Sequence, residues 1–147
     1  MADRRLEPVL VGDTADSQGT VSPDGRSIAF VSDQTGRPEV YVAPWPGLEK
    51  RIAVSTRGGR VPRWSRDSRE LFFRQEETLM AVRLDAPLQP SVPQPLFSGS
   101  FFGAGRDPAF DVAADGRFLM IKSDERADLK QLTVVQNWIS ASPRSTP

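Results

Sequence analysis

The chain has 147 residues, of which 19 are basic and 19 acidic, so no net charge draws it to nucleic acid or to an anionic membrane. It contains neither histidine nor cysteine, which excludes disulfides, thiolate and imidazole nucleophiles and histidine-based zinc sites; carboxylates, lysines, arginines and hydroxyls are the only groups left for chemistry. No apolar run approaches the ~18 residues of a membrane span, and no secretory apolar segment follows Met1 to Pro8, so the expected compartment is the cytoplasm.

The first apolar segment is Pro8-Val9-Leu10-Val11. It is followed by Val21-Ser22 and the turn Pro23-Asp24-Gly25, in which proline presets one corner, aspartate bonds the following backbone and glycine accepts positive φ. A β-rich strand, Ile28 to Ser32, leads through Asp33 to Pro38 into a second strand, Glu39 to Ala43. The same order then returns. Arg51-Ile52-Ala53-Val54 precedes Trp64-Ser65, the turn at Asp67-Ser68, the strand Leu71 to Arg74, a tight connection at Gln75 to Glu77, and Thr78 to Leu84. In the third copy Pro95-Leu96-Phe97-Ser98 precedes Val112-Ala113, the turn at Asp115-Gly116, Phe118 to Lys122 and Gln131 to Val135.

The three aspartates lie 43 and 48 residues apart (67 − 24 and 115 − 67), within the about 40 to 50 residues of a propeller blade. An all-β fold of three four-stranded blades is expected, each unit running outer, inner, second and third strand. The units span about 8–44, 51–84 and 95–138 within a half-propeller at 1–139. The proline-rich stretch 86–95 is expected as an extended connector, and 140–147 as a disordered tail. The first outer strand stands at the start of the chain and the last sheet lacks one. Because propellers close with about 4 to 8 blades, a two-fold homodimer of six blades is expected, with Pro8 to Val11 of each copy completing the partner's last sheet.

These residues carry a resemblance. Val21-Ser22-Pro23-Asp24-Gly25, Ile28-Ala29-Phe30 and Val40-Tyr41-Val42 resemble the TolB-like six-bladed propeller repeat. More narrowly, Gly36 to Val42, Phe110-Asp111-Val112, Phe118-Leu119-Met120, Leu132 to Val135 and Asn137-Trp138 resemble the C-terminal half of propellers appended to bacterial membrane serine/threonine kinases. The likeness implies a sensing or interaction module, and an extracytoplasmic one in the kinase-attached case. Glycine-rich loop, catalytic loop and Asp-Phe-Gly are all missing from these residues, so no phosphoryl transfer is implied.

Asp24, Asp67 and Asp115 invite a reading as acid-base pairs or calcium ligands, yet their fixed place at a turn assigns them to backbone capping. Arg57, Arg60, Arg63, Arg66 and Arg69 recur every third residue. Either they form a solvated surface partly paired with Asp67, Glu70, Glu76 and Glu77, or Arg57 and Arg60 flank a Gly58-Gly59 amide cradle for a carboxylate or phosphate. Gly99 to Arg106 holds spaced glycines without the strand-then-helix context of a nucleotide site, and its Phe101 and Phe102 either enter the core or grasp a partner. Trp64 and Trp138 are expected between sheets, and Trp45 on the surface.

A non-catalytic module binding protein, peptide or a small anionic ligand is the function expected, through Arg57, Arg60, Arg63, Phe101, Phe102 and Arg106. No catalytic residue, metal or cofactor is expected. The alternatives are a hydrolase or lyase using carboxylates such as Asp107 and Asp111, and a purely self-associating structural protein.

Overall fold

The strands Ser27–Ser32, Glu39–Pro44, Glu70–Gln75 and Thr78–Arg83 are buried on both faces through most of their length, as the middle strands of a sheet packed on both sides must be. The computed structural model describes residues 13–48, 50–85, 88–101, 110–122 and 131–135. Eleven strands are present among them: β1 Ser17–Val21, β2 Ser27–Ser32, β3 Glu39–Pro44, β4 Ile52–Ala53, β5 Arg60–Trp64, β6 Glu70–Gln75, β7 Thr78–Arg83, β8 Gln94–Ser98, β9 Phe110–Val112, β10 Phe118–Lys122 and β11 Gln131–Val135. No helix occurs among the described residues. The strands form antiparallel meanders β1-β2-β3-β4, β5-β6-β7-β8 and β9-β10-β11. Thus the two short segments stepped back from the aspartates, at Ile52 and at Leu96, close the preceding sheet as its outer strand. The corresponding first segment, Pro8 to Val11, lies outside the described residues.

The sheets stack face to face in chain order. Ala29, Val31, Val40 and Val42 of the first sheet pack against Trp64, Leu71, Phe73, Met80 and Val82 of the second. The other face of the second sheet, Val61, Phe72, Leu79 and Ala81, packs on Phe110, Phe118 and Met120 of the third. Phe72 and Phe118 meet edge to face with centroids 4.8 Å apart, a favoured aromatic geometry. Strand β5 touches both β1 and β9, so the innermost strands stand side by side, as the blades of a propeller do around its axis.

The second strand of each sheet begins after its aspartate turn. The residue following aspartate adopts a left-handed backbone in all three copies, with φ 71° at Gly25, 61° at Ser68 and 81° at Gly116. β1 and β5 share a second feature, a bulge at Gln18 and at Val61, each with φ 55°. The proline-rich stretch returns along the second sheet: Ser91 N–H donates to the Arg83 carbonyl at 2.8 Å, and Pro95 lies opposite Met80 in β8. Proline is accepted there because β8 is an edge strand whose outer side needs no ladder donor.

Candidate functional site

The three aspartates are occupied by their own turns. Asp24 Oδ1 accepts from Ser22 Oγ at 2.5 Å and from Arg26 N–H at 3.1 Å; Asp67 Oδ1 accepts from Ser65 Oγ at 2.7 Å and from Arg69 N–H at 3.1 Å. In the third turn Ala113 replaces the serine, and Arg117 takes over with its N–H at 3.2 Å and its Nε at 2.7 Å. Donation from the serine hydroxyl, and in the third turn from the Arg117 backbone, holds each carboxyl below the usual carboxylate range. Among the described residues no three metal-ligating side chains cluster.

The loop entering β5 carries the glycine pair, and its amides are already taken. Glu39, 3% exposed, accepts Gly58 N–H at 2.9 and 3.0 Å, the Ser55 hydroxyl, and Arg37 Nε at 2.8 Å. Gly59 N–H donates to the Pro38 carbonyl at 3.0 Å. The expectation of a free amide cradle at Gly58-Gly59 is therefore corrected: the chain supplies its own carboxylate. Glycine is required at 59 for packing, since a Cβ there would lie 2.5 Å from Ser55 Oγ.

The arginines differ from expectation in the opposite sense. None of Arg57, Arg60, Arg63, Arg66 and Arg69 makes an ion pair among the described residues. Arg57 is exposed, Arg60 and Arg63 are half-buried on the innermost strand, and Arg63 Nη1 donates only to the Pro62 carbonyl at 2.8 Å. The register places Arg60 opposite Arg74 and Arg63 opposite Phe72, and directly opposed residues share a face. Arg60, Arg63 and Arg74 thus lie on the face of the second sheet that meets the third.

Nothing in the sequence marks Arg74, which ends the continuous apolar run Leu71-Phe72-Phe73. It is 3% exposed. Its Nε and Nη2 donate to the Glu76 carbonyl at 3.3 and 2.9 Å, its guanidinium sits 5.6 Å from the Phe101 ring centroid, and its Nη1 has no partner. Burial pushes its pKa down, against the pull of Glu77. Phe101 is half-buried, folds back on Gly99 and meets Phe97 edge to face at 5.8 Å; its ring faces inward rather than toward solvent. Phe102, Arg106 and Asp107 lie outside the described residues. Asp111 is exposed and accepts the N–H of Val112 at 2.9 Å. Trp64 stands between the first two sheets, while Trp45, expected on the surface, is half-buried against Phe30 and Tyr41; Trp138 is outside the described residues.

No family model and no curated protein matches the chain. Among solved structures it is similar to an oligogalacturonate lyase from Vibrio parahaemolyticus (TM-score 0.57, 20% identity), covering 80% of this chain and 31% of that one. It is also similar to a protein assigned as TolB from Agrobacterium tumefaciens (TM-score 0.61, 14% identity), covering 80% of this chain and 44% of that one. The fold is that of a TolB-like β-propeller, and the chain spans less than half the length of these neighbours.

Proposed function

We propose that this chain is a non-catalytic propeller module that binds an anionic group, carried by a protein, a peptide or a small molecule, at the inner end of its second sheet. The observation that carries this reading is the cross-strand pair Arg60 and Arg74. Two cations placed directly opposite repel one another, and a guanidinium buried without a carboxylate costs several kcal/mol, ~3–5 when a partner is removed. An incoming carboxylate or phosphate offsets both terms and supplies the acceptor that Arg74 Nη1 lacks. Arg63 lies on the same face and Arg57 at its entry. With Phe101, Phe102 and Arg106 these arginines complete the set expected from the sequence, to which Arg74 is added.

The fold admits catalysis, as the similarity to a lyase illustrates. The non-catalytic reading rests on the missing histidine and cysteine and on the commitment of Asp24, Asp67 and Asp115 to their turns and of Glu39 to the Gly58 loop. The sequence likeness to kinase-attached propellers supports an interaction role. Ring closure by a second copy belongs to the same proposal.

Citrate and an acidic peptide are the probes. Each is expected to raise the melting temperature of the native chain, and the double variant Arg60→Ala, Arg63→Ala is expected to retain the circular dichroism of the fold while losing at least tenfold in probe affinity. An equal rise in both proteins ends the proposal.

A further inference from the structure

The two seams between sheets are built from equivalent positions and filled differently. In the first seam Trp64 is the wedge: it is 8% exposed, and its Nε1 donates to the Thr20 carbonyl at 3.0 Å. A second tie lies beside it, with Asp24 N–H donating to Ser68 Oγ at 3.0 Å. Trp64 pairs with Leu71 in β6. In the third sheet Val112 pairs with Phe118, the same place in the ladder, and Gly116 stands where Ser68 stands. Both the indole and the hydroxyl are gone from the second seam.

A cavity occupies the space. It measures about 490 Å³ and is lined by Ser65, Asp67 and Glu70 of the second sheet, Val112 and Gly116 of the third, and Phe72 between them. That volume falls within the ~300–1,000 Å³ of ligand pockets. Phe72 and Val112 give it an apolar wall. Glu70 gives it a negative one: this half-buried carboxyl makes no hydrogen bond or ion pair among the described residues, and burial, followed by the charge of Asp67, pushes its pKa up against the weaker pull of Arg83, which stands opposite it in β7 but is exposed and paired with Asp85. A cation beside it would relieve that cost. Arg66 also lines the cavity but is exposed, where water and salt screen its charge.

We infer that this cavity receives an aromatic side chain of a partner polypeptide, indole in shape and flanked by a lysine or arginine, taking the place that Trp64 fills one seam earlier. The occupant follows from the repeat itself: the fold shows which side chain fits here, and the walls show which charge accompanies it. The site lies at the opposite end of β5 from Arg60 and goes beyond the anion-binding reading.

Tryptamine, N-acetyltryptophanamide, indole-3-acetate and a Lys-Trp-Lys peptide serve as probes, read by saturation-transfer NMR on the native chain. The expected order is peptide above tryptamine, tryptamine above the neutral amide, and indole-3-acetate at least tenfold weaker than tryptamine. Val112→Trp is expected to fill the cavity and abolish the signals. Glu70→Gln, a conservative change at a half-buried position, is expected to reduce the preference for tryptamine over indole-3-acetate to under threefold. Absence of tryptamine binding at millimolar concentration, a signal that survives Val112→Trp, or an unaltered preference in Glu70→Gln overturns the inference; tryptamine binding above the peptide overturns the polypeptide occupant. The variant lacking Arg60 and Arg63 is expected to bind tryptamine unchanged, which separates the fate of this site from that of the anion site.

Discussion

Ser68 carries a strain that its two counterparts avoid. At φ 61° its side chain meets the steric penalty of a left-handed backbone, whereas Gly25 and Gly116 occupy the same turn position freely. Serine returns something for that cost, because its hydroxyl accepts Asp24 N–H from the neighbouring sheet at 3.0 Å. Each effect is worth about 1 kcal/mol, of opposite sign. Ser68→Gly, which relieves the strain and loses the bond, is expected within about 0.5 kcal/mol of the native chain, since two terms of that size cancel. Ser68→Ala keeps the strain and loses the bond, so it is expected about 1 kcal/mol less stable than Ser68→Gly, roughly 3 °C in Tm for a chain of this length. Chemical denaturation of the two variants side by side measures the difference; equal stabilities would show that the backbone at Ser68 stores nothing.

At the scale of the element, the inner strands β1 and β5 are not plain ladders. Each bulges at its second residue, and the bulges are coupled, since Gln18 Oε1 accepts the N–H of Val61 at 2.7 Å. Val61 is 2% exposed, so the amide has no access to water once that acceptor is removed. Gln18→Ala is expected to cost about 1–3 kcal/mol, the penalty of a buried unpaired donor, and to raise hydrogen exchange at Val61 ahead of global unfolding; native-like protection there would contradict the coupling. Such features mark where the sequence stops being readable. The aspartate turns, the paired strands after them and the Trp64 wedge are legible because their signals are local. The bulge at Val61 is not, because a β-branched residue disfavours positive φ and only the neighbouring blade compensates for it. Gly58-Gly59 looks like an open amide cradle for the same reason. Its partner Glu39 lies 19 residues away in the chain and looks, in the run Glu39-Val40-Tyr41-Val42, like an ordinary strand polar residue. Arg74 reads as the solvated end of an apolar run, and only the packing of Phe101 over its guanidinium reveals a buried cation.

At the scale of the molecule, the three sheets stack in one direction, with the second between the first and the third. The second sheet is covered on both faces. The first sheet has a face of its own, Ile28, Phe30, Tyr41 and Ala43, turned away from the second and gathered with Trp45 and Leu48. The third ends in β11, which pairs with β10 alone among the described residues. A ring needs about 4 to 8 such sheets, and a strand edge left open is a template for another chain. Two copies related by a two-fold axis would bring six sheets together, with Pro8 to Val11 of one beside β11 of the other. Static light scattering is therefore expected to give twice the 16.2 kDa of one chain at micromolar concentration. Because each seam would be completed by a strand from the other copy, dilution is expected to lower Tm as the two copies part. Removing residues 1–12 should then leave the mass of a single chain. A mass of 16.2 kDa with a Tm independent of concentration would show that one chain closes its own edges and that the six-sheet ring is wrong.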